Sequence, residues 1–243
     1  ICLIFDQVSQ AVPFMITISA LWFGTNNAAR EIVGELSIYK RERMFNIQII
    51  PYIFSKLSVM MLFAFIQAFL FTAIIMMRYK GVDEGPEWNQ FLGTILWMVF
   101  VSSSATLMGL LLSALVDTTE KVMSIVPISL IPQIMLAGIV ARITSPAVEY
   151  LSYFTLARWV TEGLSNIQET VYSIVPEIND DGTENHIVEA VPNLNKQFHQ
   201  TYEDTFGDMA SELSLDVCAI GALSLLFFIG IYIALKKKDA INQ

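Results

Sequence analysis

Histidine and cysteine are scarce in this chain. It has two histidines, His186 and His199, and two cysteines, Cys2 and Cys218. His199 and Glu203 stand four residues apart, a spacing that brings two side chains onto one helix face. A closed metal site needs more ligands than that, so both read as solvated residues. No Ser, His and Asp fall in a spacing that supports a nucleophilic triad. No Gly-x-x-x-x-Gly-Lys-Ser/Thr phosphate loop occurs, so this segment does not hydrolyse ATP by itself. The cysteines read as small apolar thiols near helix ends, and a disulfide between them stays open if both face an oxidising compartment. Chemical character is concentrated instead in a run of alternating charge: Arg30, Glu31, Glu35, Arg41, Glu42 and Arg43, with Tyr39 among them. Such a run makes either a docking surface or a solvated face.

The elements that must carry this run are apolar. Of 243 residues, 54% are hydrophobic and 15% charged, against about 25% charged in soluble domains, and the mean hydropathy is +0.56. The apolar residues bunch at 57–77, 90–116, 122–141 and 215–235, with a fifth stretch from Val8 to Phe23. Each approaches the ~20 apolar residues that cross a bilayer core. Ile1 to Ile4 reads as the tail of an earlier span, so the chain is expected to be a fragment; no basic leader precedes it. Pro127 and Pro132 predict a bend in the stretch at 122–141, either a packing kink or a gating bend. Ser102, Ser103, Ser104 and Thr106 allow close helix packing and hydrogen bonds across helices. Trp88 and Trp97 suit an interfacial belt.

Between Phe23 and the stretch at 57–77, Ala29, Ile32, Val33, Leu36, Tyr39 and Phe45 recur at helical spacing with the charges opposite. That pattern predicts one amphipathic helix on the membrane surface. Lys and Arg collect on cytoplasmic flanks, and nine of the fourteen lie in three connections: 26–56, the turn Asp117 to Lys121, and the tail Lys236, Lys237 and Lys238. Five spans and a cytoplasmic C-terminus follow. The 142–214 connection is then external, with twelve acids against three bases. Within it, Leu151 to Leu164 reads as a re-entrant or interfacial helix, and 176–214 as a polar extension. The spans hold no ionisable residue at mid-membrane depth, which argues against an ion-coupled carrier.

Asn27 to Val33, Glu35, Ile38 to Arg43, Pro51-Tyr52 and Ser55-Lys56 together resemble the cytoplasmic connection of G-subfamily ABC transporters and their bacterial ABC type-2 relatives. Asp117 to Lys121, Ile131 to Gly138 and Leu151 to Leu164 agree in order and spacing. The resemblance implies an all-α, polytopic membrane helix bundle of six spans, the first missing or partial, with re-entrant helices in a large external loop. Residues 1–243 would form a single transmembrane domain, with an ATPase domain upstream in the same polypeptide that binds ATP and Mg; this chain itself holds no cofactor. It implies a homodimer in the lipid bilayer, with the spans at 8–23 and 122–141 lining a central path.

The run from Arg30 to Arg43 would couple that path to ATP hydrolysis. Ile139 and Val140, with Leu136 and Met135, would gate its outer end or merely pack. The external loop lacks the cysteines and glycosylation sequons usual in eukaryotic members, which points to a bacterial inner-membrane protein; an upstream FHA domain would fit. The expected function is ATP-driven export of a hydrophobic or amphipathic, lipid-like substrate, with no nucleic-acid partner. The rival is a non-transporting anchor or scaffold of the same fold.

Overall fold

The computed structural model describes residues 11–43, 48–79, 88–137, 146–167, 170–178, 184–192 and 209–241. Every expected apolar stretch is helical over its described residues except for Val116 and Ala137, which end two of them. In chain order the elements are α1 (Ala11–Ala28), α2 (Glu31–Gly34), α3 (Leu36–Arg43), α4 (Ile49–Tyr79), α5 (Trp88–Leu115), α6 (Thr119–Leu136), α7 (Pro146–Ser152), α8 (Leu156–Ile167), β1 (Thr170–Ile178), β2 (Glu184–Pro192) and α9 (Met209–Ile241). Among the described residues, three stretches are long and apolar enough to cross a membrane: Ile49–Ile74, Phe91–Leu115 and Leu213–Asp239. Helices α1 and α6, 18 residues each, pack against this set.

Helix α5 is the central post. It touches α1, α4, α6, α8 and α9, and small residues let those neighbours close in. A Cβ at Gly24 would come 2.5 Å from the Ser102 carbonyl oxygen and 2.8 Å from the Ala105 Cβ, so α1 and α5 meet almost backbone to backbone. Thr25 Oγ1 donates to the Ala105 carbonyl at 3.4 Å, and Ser224 Oγ on α9 donates to Ser104 Oγ at 2.8 Å. The hydroxyl run in α5 thus serves the close packing that its composition predicts. Outward faces carry Leu62, Phe65, Phe69 and Leu70 on α4, and Leu225, Leu226, Ile229 and Ile233 on α9. These suit contact with lipid tails.

One expectation needs correction. Trp97 does not sit in an interfacial belt: it is buried in the core with Ala157, Val160 and Leu164 of α8, and its indole N–H donates to the Val160 carbonyl at 3.1 Å. The side chain of Trp88 lies outside the described residues. Charge is also buried at one end of the bundle, which leaves the expectation about mid-membrane depth untouched. Arg158 and Asp216 are buried, and Glu162 is nearly so. Arg158 donates to the Ser152 hydroxyl, lies 3.8 Å from Glu162 and stacks 4.3 Å from the centre of the Tyr153 ring. A buried cation persists only with such partners. These groups stand at one end of the bundle, Asp216 three residues into the Leu213–Asp239 span.

The Leu151–Leu164 segment is a helix–turn–helix, α7 to α8, closed by hydrogen bonds from Phe154 N–H to the Leu151 carbonyl and from Thr155 N–H to the Ser152 carbonyl. Helix α8 folds back into the bundle against α1, α5, α6 and α9. It is therefore packed into the bundle rather than set apart on its surface. Beyond it, the polar connection contains an antiparallel hairpin, β1 paired with β2 from Thr170–Pro192 to Ile178–Glu184. His186 stands on β2 opposite Pro176.

Candidate functional site

The alternating charges sit on α2 and α3, at the end of the bundle opposite α8. The helical run breaks at Glu35 between them, so the single amphipathic helix of the sequence pattern is two short ones. Its apolar stripe faces protein, not lipid. Ile32 and Tyr39 join Ile53, Leu110, Ile231 and Leu235 in one cluster; Ala29 and Val33 join Met108, Val122, Val126 and Leu130 in another. Ala29, with Ile32 and Val33 of α2 and Tyr39 of α3, thus wedges among α4, α5, α6 and α9. Ser113 completes the seat: its Oγ accepts from the backbone N–H of Ile32 at 3.1 Å and of Val33 at 2.9 Å. These are N-terminal amides with no acceptor inside their own helix.

The charged residues divide into two groups. Glu31 and Glu35 turn back to Lys56 of α4, at 3.2 and 2.5 Å. Tyr39 is buried against Tyr52, ring centres 4.9 Å apart. Burial first, then the charge of nearby Asp239, push its hydroxyl up to about 12, so it stays protonated at physiological pH. Arg43 Nε meets Asp239 Oδ2 of α9 at 2.7 Å. Arg30, Arg41 and Glu42 instead face outward. With Gly34, Ser37 and Ile38 they make one exposed stripe, and Ile38, 45% exposed, is its apolar centre. The sequence pattern identified these charges but could not divide them into a seating set and an outward set.

On α6, Val122, Val126, Leu130 and Gln133 point into the protomer, and the Gln133 amide lies 2.9 Å from Met108 Sδ. Ile128, Ile131 and Met135 point out, with Leu136 half-buried. Pro127 and Pro132 both lie inside the helix. The other expected gate residues, Ile139 and Val140, lie outside the described residues, as do Gly138, Phe45, Cys2 and His199. Cys218 is an exposed free thiol on α9. Among the described residues no cluster of His, Cys, Asp or Glu could hold a metal.

Residues that the sequence reading used only for topology and resemblance complete this end of the bundle. Lys238 Nζ donates to the Val116 carbonyl at 2.6 Å and lies 3.2 Å from Asp117 Oδ1. The connections carrying Arg43, Asp117 and the C-terminal lysines therefore meet at one end. An apolar helix bundle with a polar, rigidly seated helix pair at one end is the architecture of a membrane-embedded transport domain. The family model described as ABC-2 type transporter matches residues 3–168, and the chain belongs to that family, as the permease part of an ABC transporter. It is 22% identical over 218 residues to the ABC transporter ATP-binding/permease protein Rv1747 of Mycobacterium tuberculosis. That match covers 85% of this chain and 23% of the relative, so the chain spans about a quarter of the relative's length.

Proposed function

We propose that this domain is the membrane half of an ATP-driven exporter, working as a homodimer and moving a hydrophobic or amphipathic, lipid-like substrate from the cytoplasm or inner leaflet by alternating access. The observation that carries the reading is the two-sided α2–α3 pair. One side is locked into four helices, and the other presents Arg30, Ile38 and Arg41 outward. A segment fixed to the spans on one face and exposed on the other suits the transmission of an ATPase domain's movement. The name of the mycobacterial relative joins ATP binding and permease in one protein, which supports an ATPase domain in the same polypeptide as this one. ATP and Mg would bind there. The gathering of Lys and Arg at the α2–α3 end supports a cytoplasmic face and C-terminus there, with residues 26–56 as the coupling connection and 142–214 outside. The bacterial relative supports a bacterial inner membrane. Ile139, Val140, Leu136 and Met135 would close the outer end of the path, since apolar constrictions gate by dewetting.

Docking would rest on the outward stripe. Glu31, Glu35, Tyr39 and Arg43 act through the seat rather than by touching the ATPase. The test is Ile38→Asp with Arg41→Glu in the full-length protein in proteoliposomes, with a reporter cysteine at Ile131. The double variant is expected to insert and hydrolyse ATP, while losing the ATP- and vanadate-dependent change in Ile131→Cys crosslinking. A wild-type response would remove the stripe from coupling.

A further inference from the structure

We infer that Lys238 and Asp239, the last charged pair of α9, form a two-sided clasp that positions the coupling helix α3 against the α5–α6 turn. The inference rests on the coupling role proposed for α2–α3. Helix α9 is one uninterrupted element of 33 residues, about 50 Å long at 1.5 Å per residue. Successive residues on a helix project about 100° apart, so Lys238 and Asp239 reach different neighbours. Asp239 takes Arg43 in the last turn of α3, Nε to Oδ2 at 2.7 Å. Lys238 takes the Val116 carbonyl at 2.6 Å and the Asp117 carboxylate at 3.2 Å. Val116 directly follows the end of α5, where unpaired carbonyls and the helix dipole favour a cation.

The clasp joins elements that the backbone keeps apart. Arg43 and Asp239 are 196 residues apart in sequence, Lys238 and Val116 122 apart. Helix α6 starts at Thr119, two residues past Asp117, with the Thr118 hydroxyl accepting from the Lys121 N–H as its cap. A displacement of α3 therefore reaches the start of α6 through one helical turn of α9. Asp239 and Lys238 are largely buried, whereas Asp117 is open to water. The α3 side is thus the firmer contact, and the Asp117 pair, like most exposed ion pairs, is weak. The Asp117 contact can thus be released and retaken during a cycle while Lys238 keeps the Val116 carbonyl. Lys236 and Lys237 are exposed and serve as controls.

The test uses the full-length protein in proteoliposomes, reading the KM and kcat for ATP and the ATP-dependent crosslinking of Ile131→Cys. Asp239→Asn and Lys238→Met are each expected to leave KM within about twofold while cutting the crosslinking response by up to about fivefold, the range of a partly exposed ion pair. Lys237→Met should behave as wild type. Exchanging the partners, Arg43→Asp with Asp239→Arg, should restore most of the response, which a mere loss of folding would not allow. An intact response in Asp239→Asn and Lys238→Met overturns the clasp, as does an exchange variant no better than the single variants. Failure of the coupling reading shows separately, as an intact response in Ile38→Asp with Arg41→Glu.

Discussion

Trp97 and Gly163 show how much one residue decides here. The indole N–H is fixed to the Val160 carbonyl, and the ring lies where a side chain at position 163 would otherwise be. The Gly163→Ala Cβ would overlap that ring, and the ring cannot leave without losing its hydrogen bond. Overpacking of this kind costs roughly 1–3 kcal/mol. Gly163→Ala is therefore expected to lower the thermal unfolding temperature of the purified protein in detergent. Gly221→Ala on α9, where a Cβ meets nothing within 4 Å, should not. Equal melting of the two variants would mean that α8 is not held through Trp97. Sequence alone could not have placed this residue, because tryptophan serves both interfacial belts and cores where its N–H finds a partner.

At the scale of elements, the α2–α3 pair depends on a hydroxyl from a distant helix. Ser113 is fully buried and accepts two backbone N–H groups of α2. Ser113→Ala leaves both donors buried without that acceptor, at roughly 1–3 kcal/mol for each group left unsatisfied. The expected outcome is faster amide exchange confined to residues 30–43, with α4 and α5 as protected as before. Unchanged exchange there would assign the seat to Lys56 and the apolar wedge. Three of the five expected spans, Ile49–Ile74, Phe91–Leu115 and Leu213–Asp239, were legible, because length and lack of charge mark a membrane helix. The break at Glu35 was not, and neither were the partners of Arg43 and Lys238, which stand 196 and 122 residues away. A periodic stripe records that one face is covered without recording what covers it, which is why α2 was expected on lipid and lies on protein. The β1–β2 hairpin had a visible signal: β-branched residues recur in Val171, Ile174, Val175, Ile187, Val188 and Val191. The acidity of the surrounding connection outweighed it.

At the scale of the whole molecule, α6 decides whether two protomers meet where the proposed path requires. Its inward residues Val126, Leu130 and Gln133 are packed against α5 and its neighbours. Its outward residues Ile128, Ile131 and Met135 stand 66%, 54% and 55% exposed, all apolar, at spacings of three and four that keep them on one side of the helix. Lipid tails would cover such a face as readily as a second copy would, so composition cannot separate the two. Geometry can. If α6 lines a dimer axis, cysteines placed singly at 128, 131 and 135 meet their symmetry mates and form disulfide-linked dimers in native membranes. Those at 126, 130 and 133 remain monomeric because their own protomer encloses them. Equally exposed positions on α4, such as Leu62, should also stay monomeric, since α4 is not part of the proposed axis. Dimers at 128, 131 and 135 alone would place the axis on α6. Dimers through Leu62 but not through Ile131 would move it to α4, and the expected gate at Ile139 and Val140 would then lose its central position.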